Sequence, residues 1–168
     1  ATMNLFSQKN DSIIQDFALL LEQVSLCDTD SKIEILNKMK VAMHKISPFK
    51  NEPVDCVLWV KNAKVGANDY NPNSVAPPEM ALLELSISSD GYTQPIVGYN
   101  ETGDIETAIS GQDIEVVDGF HRHRVGKECE SVRNRVLGYL PIVQIKNDRS
   151  DKSDRMAATI RHNRARGK

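Results

Sequence analysis

Apolar residues recur at helical spacing in the first part of the chain. Six of them fall on one helical face, with Asn10 or Asp11 available as N-cap: Ile13, Ile14, Phe17, Leu20, Leu21 and Val24. A second amphipathic helix is predicted over residues 30–46, and Pro48 ends it. The two helices predict a helical hairpin within residues 1–50, which either packs on the rest of the chain or contacts a partner protein.

Residues 54–168 mix short strand patterns with helices. A loop rich in turn residues is predicted at 66–73, and helices are predicted to begin at Pro77, at Gly119 and near Asp151 or Ser153. Strands are predicted at residues 54–61, 94–99, 114–117 and 137–145, with Pro141 indicating a sheet edge or a strand start. We therefore expect an α+β fold, a small mixed sheet with helices, preceded by the hairpin.

A strand-to-helix turn carries the densest group of candidate binding residues. The β-branched run 114–117 is followed by Asp118, Gly119 and alternating histidines and arginines that open a helix. The start of a helix presents free backbone N–H groups and the positive end of the helix dipole, so it favours anions. We predict that this turn binds a polyphosphate. The alternative is that Gly119 only ends the strand and the basic residues form a solvated surface.

The net charge of −2 conceals two halves of opposite sign. Residues 1–118 contain 8 Lys/Arg and 18 Asp/Glu, giving 8 − 18 = −10, whereas residues 119–168 contain 13 and 5, giving 13 − 5 = +8. A basic half suits phosphate ligands or DNA. No apolar run approaches the roughly 18 residues that cross a bilayer, and three scattered cysteines, Cys27, Cys56 and Cys129, favour a reducing cytoplasm over a disulfide framework or a zinc site.

Three ordered motifs resemble the ParB/sulfiredoxin superfamily, and together they cover about residues 54–168. The first extends from Asn71-Pro72 to Thr93-Gln94-Pro95-Ile96-Val97 and resembles the first ParB box. The second, Gly119-Phe120-His121-Arg122-His123-Arg124, resembles the Gly-Glu-Arg-Arg-x-Arg box of ParB and the Gly-Cys-His-Arg box of sulfiredoxins. The third, His162-Asn163-Arg164-Ala165-Arg166, resembles the ParB box Glu-Asn-x-x-Arg. Within the superfamily, the chain looks most like the IbrB-type co-activators of prophage gene expression.

The resemblance implies a bound nucleotide, either ATP/ADP or CTP, with the second motif around its phosphates. Asn163 matches an asparagine associated with nucleotide-bound Mg²⁺, but His162 stands where the family has glutamate, and a lost carboxylate weakens a site for a hard cation. The residues that the resemblance places at the nucleotide are Gln94, Gly119, Phe120, His121, Arg122, Arg124, Asn163, Arg164 and Arg166.

The expected function is therefore a nucleotide-binding regulatory protein that acts in prophage gene expression or another DNA-linked process through a protein partner. One alternative is a small phosphoryl-transfer enzyme, an NTP hydrolase or a kinase, since residues 118–122 also fit the Asp-Gly-x-His-Arg turn of free-serine kinases. Asp118 would then be the catalytic carboxylate; otherwise it caps the helix or pairs with Arg122.

A second alternative is DNA binding, or nuclease-like activity, through the basic half. Phe120 replaces the cysteine that sulfiredoxin chemistry requires, which argues against a sulfinic-acid reductase. The sequence leaves the oligomeric state open, with a homodimer as one candidate.

Overall fold

The structure, a computed structural model, describes residues 2–67, 76–100, 113–145 and 152–165. The chain divides into two compact units, Ala1–Met39 and Lys40–Lys168. The boundary between the units falls inside the second helix, whereas the sequence suggested a boundary after residue 50. None of the helices in the described part of the chain combines the length and apolar composition needed to cross a bilayer.

Two helices, α1 (Thr2–Ser25) and α2 (Thr29–Ile46), confirm the helices expected at the start of the chain. The predicted N-cap of α1 was wrong: Asn10 and Asp11 lie inside the helix, because residues 2–9 contain no proline or glycine to interrupt it. The N-cap of α2 is Asp28, whose carboxylate accepts a hydrogen bond from the backbone N–H of Ser31 at 3.0 Å. This bond lowers the pKa of Asp28 below its ordinary value.

Within the described residues, five strands form one mixed sheet in the order β1-β5-β3-β4-β2. Their bounds are β1 Leu58–Lys61, β2 Val65–Gly66, β3 Ile96–Tyr99, β4 Ile114–Asp118 and β5 Tyr139–Gln144. β1 pairs with β5 and β3 with β4 in antiparallel fashion, whereas β3 with β5 and β2 with β4 are parallel. The α+β class expected from the sequence is therefore confirmed.

Four further helices accompany the sheet: α3 Pro77–Asp90, α4 Phe120–Glu128, α5 Glu130–Arg135 and α6 Lys152–Ala165. α3 has proline in its first turn and ends at Gly91, whose φ of 81° suits a residue without a side chain. α6 packs against β4. Short 3₁₀ helices at Pro53–Asp55 and Asn62–Lys64 flank β1.

Two strand predictions were wrong in detail. Val54 was placed in a strand, but it lies in a 3₁₀ helix that begins at Pro53, and it is exposed. Pro141 was expected at an edge or a strand start, but β5 lies between β1 and β3. The parallel pairing of β5 with β3 starts at Ile142, so Pro141 precedes that ladder and its missing N–H removes no bond from it. The predicted loop at 66–73 began too early, because Gly66 belongs to β2, a two-residue strand that the sequence pattern did not indicate. Residues 68–73 lie outside the described residues.

The two faces of the sheet bury separate apolar clusters. On β4, Ile114 and Val116 point into the main cluster, whereas Val117 belongs to a smaller cluster with Tyr99. This follows from the alternation of side chains along a strand. Because both faces are covered, the end of β4 is buried as well, and Asp118 is only 3% exposed.

A histidine fastens α4 to β2. The Nε2 of His123 lies 3.0 Å from the backbone oxygen of Val65, and the Nζ of Lys127 donates to the same oxygen at 3.1 Å. Since a carbonyl oxygen only accepts, Nε2 carries the proton. Burial is the main reason that the pKa of His123 is lowered, and the hydrogen bond to Val65 partly opposes it.

We predict that Gly126→Ala destabilises the protein by about 1–3 kcal/mol, the usual cost of overpacking. A Cβ at Gly126 would collide with the hydroxyl of Tyr92 and with Cδ2 of Leu140. Gly66→Ala is the matched control, because nothing lies within 4 Å of the position that its Cβ would take. Urea denaturation measures both variants, and equal stabilities for the two would contradict the close approach of α4 to the sheet.

The lowered pKa of His123 predicts a pH dependence of stability. The unfolded chain binds this proton near the ordinary pKa of 6.5 and the folded chain only at lower pH, so the free energy of unfolding falls as the pH drops below 6.5. The contribution of one group is at most about 1.4 kcal/mol per pH unit. His123→Gln keeps a donor for Val65 and cannot titrate, so its stability should fall less steeply between pH 6.5 and 5. If the free energies of unfolding of the parent and of His123→Gln fall in parallel over this pH range, the pKa of His123 is not lowered in the folded protein.

Candidate functional site

The predicted binding turn is a left-handed glycine between β4 and α4. Gly119 has φ 90° and ψ 30°, a conformation that glycine adopts at little cost. Its carbonyl accepts the first helical hydrogen bond, from the N–H of His123 at 2.8 Å. As glycine has no side chain to cap the helix, the turn leaves the first N–H groups of α4 without a side-chain cap among the described residues. The local geometry is thus that of an anion-favouring helix start.

The guanidinium of Arg122 folds back over this glycine. Its Nη1 donates to Oε1 of Gln94 at 3.3 Å and its Nη2 to the backbone oxygen of Pro95 at 3.1 Å. A Cβ on Gly119 would lie 2.8 Å from Nη2, so a larger residue at 119 would displace the guanidinium in addition to straining the left-handed backbone. The side chain of Arg122 is only 12% exposed. Its charge is therefore held, largely desolvated, at the start of α4.

The carboxylate of Asp118 faces the same guanidinium. Its Oδ2 lies 3.8 Å from Nη2 of Arg122, and its side chain is 4% exposed. A buried carboxylate is tolerated when a cation and hydrogen bonds compensate it. Of the roles that the sequence left open, pairing with Arg122 is the one that this contact provides. Asp118, Gly119, Arg122 and Gln94 thus form one cluster, as the candidate site requires.

The two histidines of the turn, His121 and His123, differ in burial. His123 is 6% exposed and is bound to Val65, so it holds α4 in place. His121 is partly buried, and its Nε2 is inaccessible to solvent. Among the described residues, no three His, Cys, Asp or Glu side chains lie close enough together to hold a metal ion.

Tyr92 supports the site and was given no role from the sequence. Its hydroxyl donates to the backbone oxygen of Arg122 at 2.8 Å, and its ring meets Trp59 edge-on at a centroid distance of 6.5 Å. Burial raises the pKa of Tyr92 to about 12, although the positive charges of Arg122 and Arg135 oppose the shift. Tyr92 therefore stays protonated and fixes the backbone of Arg122. Its position three residues before Pro95, inside the first motif, was the available signal.

The remaining predicted residues lie apart from this cluster or outside the described residues. Phe120 is 7% exposed and packs in the main core, so only its backbone belongs to the turn. Arg124 is exposed and its Nε donates to Oε2 of Glu128 at 2.9 Å, one turn later in α4. Arg164 is exposed on α6. The side chain of Asn163 and the whole of Arg166 are outside the described residues.

Some of the basic charge of residues 119–168 is used internally. Arg135 donates to the backbone oxygens of Ser88 at 2.8 Å and Ile87 at 2.7 Å, where it satisfies the last carbonyls of α3. Arg133 donates to the backbone oxygen of Lys127 at 3.0 Å, near the end of α4. These two side chains thus have structural roles in addition to any contact with an anion, although Arg135 remains exposed.

Three comparisons place the chain among known proteins. No family model matches it. The uncharacterized protein YbdM of Escherichia coli strain K12 is 51% identical over 139 residues, which is 83% of this chain. The chain spans 61% of the length of YbdM. These findings do not support the narrower IbrB-type assignment.

Among solved structures, the chain is similar to the C-terminally truncated chromosome-partitioning protein ParB of Caulobacter crescentus, crystallised with CTP-γ-S. The TM-score is 0.46 and the sequence identity 19%, over 64% of this chain and 52% of that one.

Proposed function

We propose that this chain binds a nucleoside di- or triphosphate, with its phosphates at the start of α4, and that it acts as a regulatory protein. The observation that carries the proposal is the buried Arg122 guanidinium, held beside the glycine that opens the helix. The positive charge of Arg122 and the uncapped N–H groups of α4 lie at the same place, in front of the first turn of the helix. Both favour an anion, and a polyphosphate more than a single charge.

The cluster around Arg122 supports a binding site that is formed in advance. Gln94 and the Pro95 carbonyl hold the guanidinium from the β3 side, and Tyr92 holds the backbone of the same residue. A group that is already fixed loses little conformational freedom when a ligand arrives, so more of the interaction energy appears as affinity. A partly buried arginine held in this way suits recognition of phosphate better than a mobile surface lysine.

ATP, ADP and CTP are the nucleotides implied by the motif resemblance, and Mg²⁺ would accompany their phosphates. The motif resemblance also assigns His121 to a phosphate oxygen. Because its Nε2 is inaccessible to solvent, that nitrogen would reach a phosphate only after the side chain turns. A role in prophage gene expression or another DNA-linked process, through a protein partner, rests on the motif resemblance alone. It remains a prediction.

The first test is a thermal-shift and calorimetry panel of ATP, ADP, CTP, GTP and inorganic phosphate, with and without Mg²⁺. At about a hundredfold excess over Kd, a ligand adds roughly 2.7 kcal/mol to the free energy of unfolding. Arg122→Lys should weaken nucleotide binding at least about tenfold, because lysine keeps the charge but loses the planar fork of donors.

Arg124→Lys is the matched control, since Arg124 lies in the same helix and pairs only on the surface with Glu128. It should bind as the parent does. Circular dichroism and the melting temperature without ligand establish that both variants fold. If no nucleotide binds, or if Arg122→Lys binds as tightly as Arg124→Lys, the proposal is wrong.

A variant of Asp118, which contacts Arg122, can distinguish a regulatory protein from a phosphoryl-transfer enzyme. If Asp118 serves only to hold the guanidinium, Asp118→Asn should lower nucleotide affinity and stability together, with no turnover by either protein. A catalytic Asp118 would instead give turnover in the parent that Asp118→Asn abolishes while binding persists. Release of inorganic phosphate from ATP and CTP, measured beside affinity for both proteins, decides between these outcomes.

A further inference from the structure

Three short segments meet at one surface through hydrogen bonds to backbone carbonyls. The N–H of Asn62 donates to the carbonyl of Gly138 at 2.8 Å, and the N–H of Gly138 donates to the carbonyl of Arg133 at 2.9 Å. The guanidinium of Arg133 donates to the carbonyl of Lys127, whose Nζ donates to the carbonyl of Val65. These bonds close a ring of contacts between the segment after β1, the end of α4 and the end of α5. We call the surface formed by residues 61–67 and 124–138 the basic surface.

The basic surface is positive although the whole chain is not. Residues 61–67 and 124–138 contain six Lys/Arg and two Asp/Glu, giving 6 − 2 = +4, whereas the net charge of the chain is −2. One of the two carboxylates, that of Glu128, is bonded to Arg124 at 2.9 Å. Four other basic residues of this surface are exposed: Lys61, Lys64, Lys127 and Arg135. A local excess of positive charge attracts an extended polyanion.

An exposed leucine in a left-handed conformation belongs to the same surface. Leu137 has φ 58° and follows Val136 at the end of α5, where a helix usually has glycine. A residue with a side chain is strained in this conformation. The side chain of Leu137 is 61% exposed, so burial within the chain does not offset the strain. Within residues 61–67 and 124–138, all of them described, it is the only large apolar side chain that is mostly exposed.

We propose that the basic surface binds duplex DNA, with its lysines on the phosphates and Leu137 in contact with a groove. The centres of protein interfaces are apolar and depleted in lysine, whereas DNA interfaces are polar and strongly positive. A single exposed leucine among several cations fits the second kind. Proteins that bind the minor groove combine such an apolar side chain with Lys and Arg.

The basic surface is separate from the proposed nucleotide site. Lys127 lies eight residues after Gly119 in the sequence, which is about 12 Å along α4. The DNA proposal uses none of the residues that hold the guanidinium of Arg122. Either proposal can therefore fail while the other stands.

The test is fluorescence anisotropy of a labelled random-sequence duplex of about 20 bp, titrated with the full chain at several salt concentrations. Four phosphate contacts predict a slope of log K against log[salt] of about −3.6. Lys61→Gln combined with Lys64→Gln should weaken binding at least about tenfold at low salt and reduce the slope to about −1.8.

Lys45→Gln combined with Lys50→Gln is the matched control, because it removes the same charge from two exposed lysines that precede β1. It should bind DNA as the parent does. Circular dichroism and the melting temperature establish that both double variants fold. Equal losses of affinity in the two double variants would overturn the proposal, since net charge alone would then explain them.

Leu137→Gly tests the groove contact. Glycine relieves the left-handed strain, so the melting temperature should stay the same or rise while DNA binding weakens. A merely structural role of Leu137 would not lower the affinity without lowering the stability. Unchanged affinity in Leu137→Gly would overturn the groove contact.

Polyglutamate distinguishes DNA from an acidic polypeptide as the partner. It should compete poorly with the duplex at equal concentration of negative charge. If it displaces the duplex as effectively as unlabelled DNA does, the DNA assignment is wrong and the surface recognises acidic protein. A parent protein that binds no duplex at low salt would overturn the proposal as a whole.

Discussion

The candidate site depends on the buried guanidinium of Arg122. A guanidinium always carries its charge, so it can be buried only where acceptors surround it. Here the acceptors come from three separate places: the carboxylate at the end of β4, an exposed side chain before β3, and a backbone carbonyl beside it. One side chain therefore ties together the strand end, the neighbouring strand and the helix. The left-handed Gly119 provides the space in which it lies.

The sheet brings these acceptors together. β3 and β4 are antiparallel neighbours, with Val97 opposite Asp118. The segment before β3 and the last residue of β4 therefore lie at the same end of the two strands. Gln94 and Pro95 precede β3 directly and reach the guanidinium from there. Residues 28 positions apart in the chain thus meet at one side chain, and the arrangement can exist only when both strands are paired.

Contacts along α4 hold that helix close to the sheet. Tyr92 bonds to the carbonyl of Arg122 at one end, Gly126 lets the helix backbone approach β5, and His123 with Lys127 fastens the helix to β2. His123 is buried by these contacts, whereas Lys127 remains exposed. A rigid helix start with a fixed charge is well suited to a ligand whose affinity depends on pre-organisation. The same contacts give His123 a structural role, as the residue that holds α4 against β2.

The sequence by itself determined the α+β class, most of the helices and the position of the strand-to-helix turn, because these follow from apolar periodicity, from proline and glycine, and from a strand pattern that runs into a basic helix start. Only the tertiary structure decided which residues of that turn point inward and which stay on the surface. Arg122 turns inward because Gln94 and Pro95 lie opposite it, whereas Arg124 stays on the surface with Glu128. Likewise Tyr92 acquires its role, and Pro141 is accommodated in an interior strand, through partners that are distant in the chain. Local pattern fixes which face of an element is apolar, but the partner of a polar side chain is set by strand order, which short-range spacing does not encode.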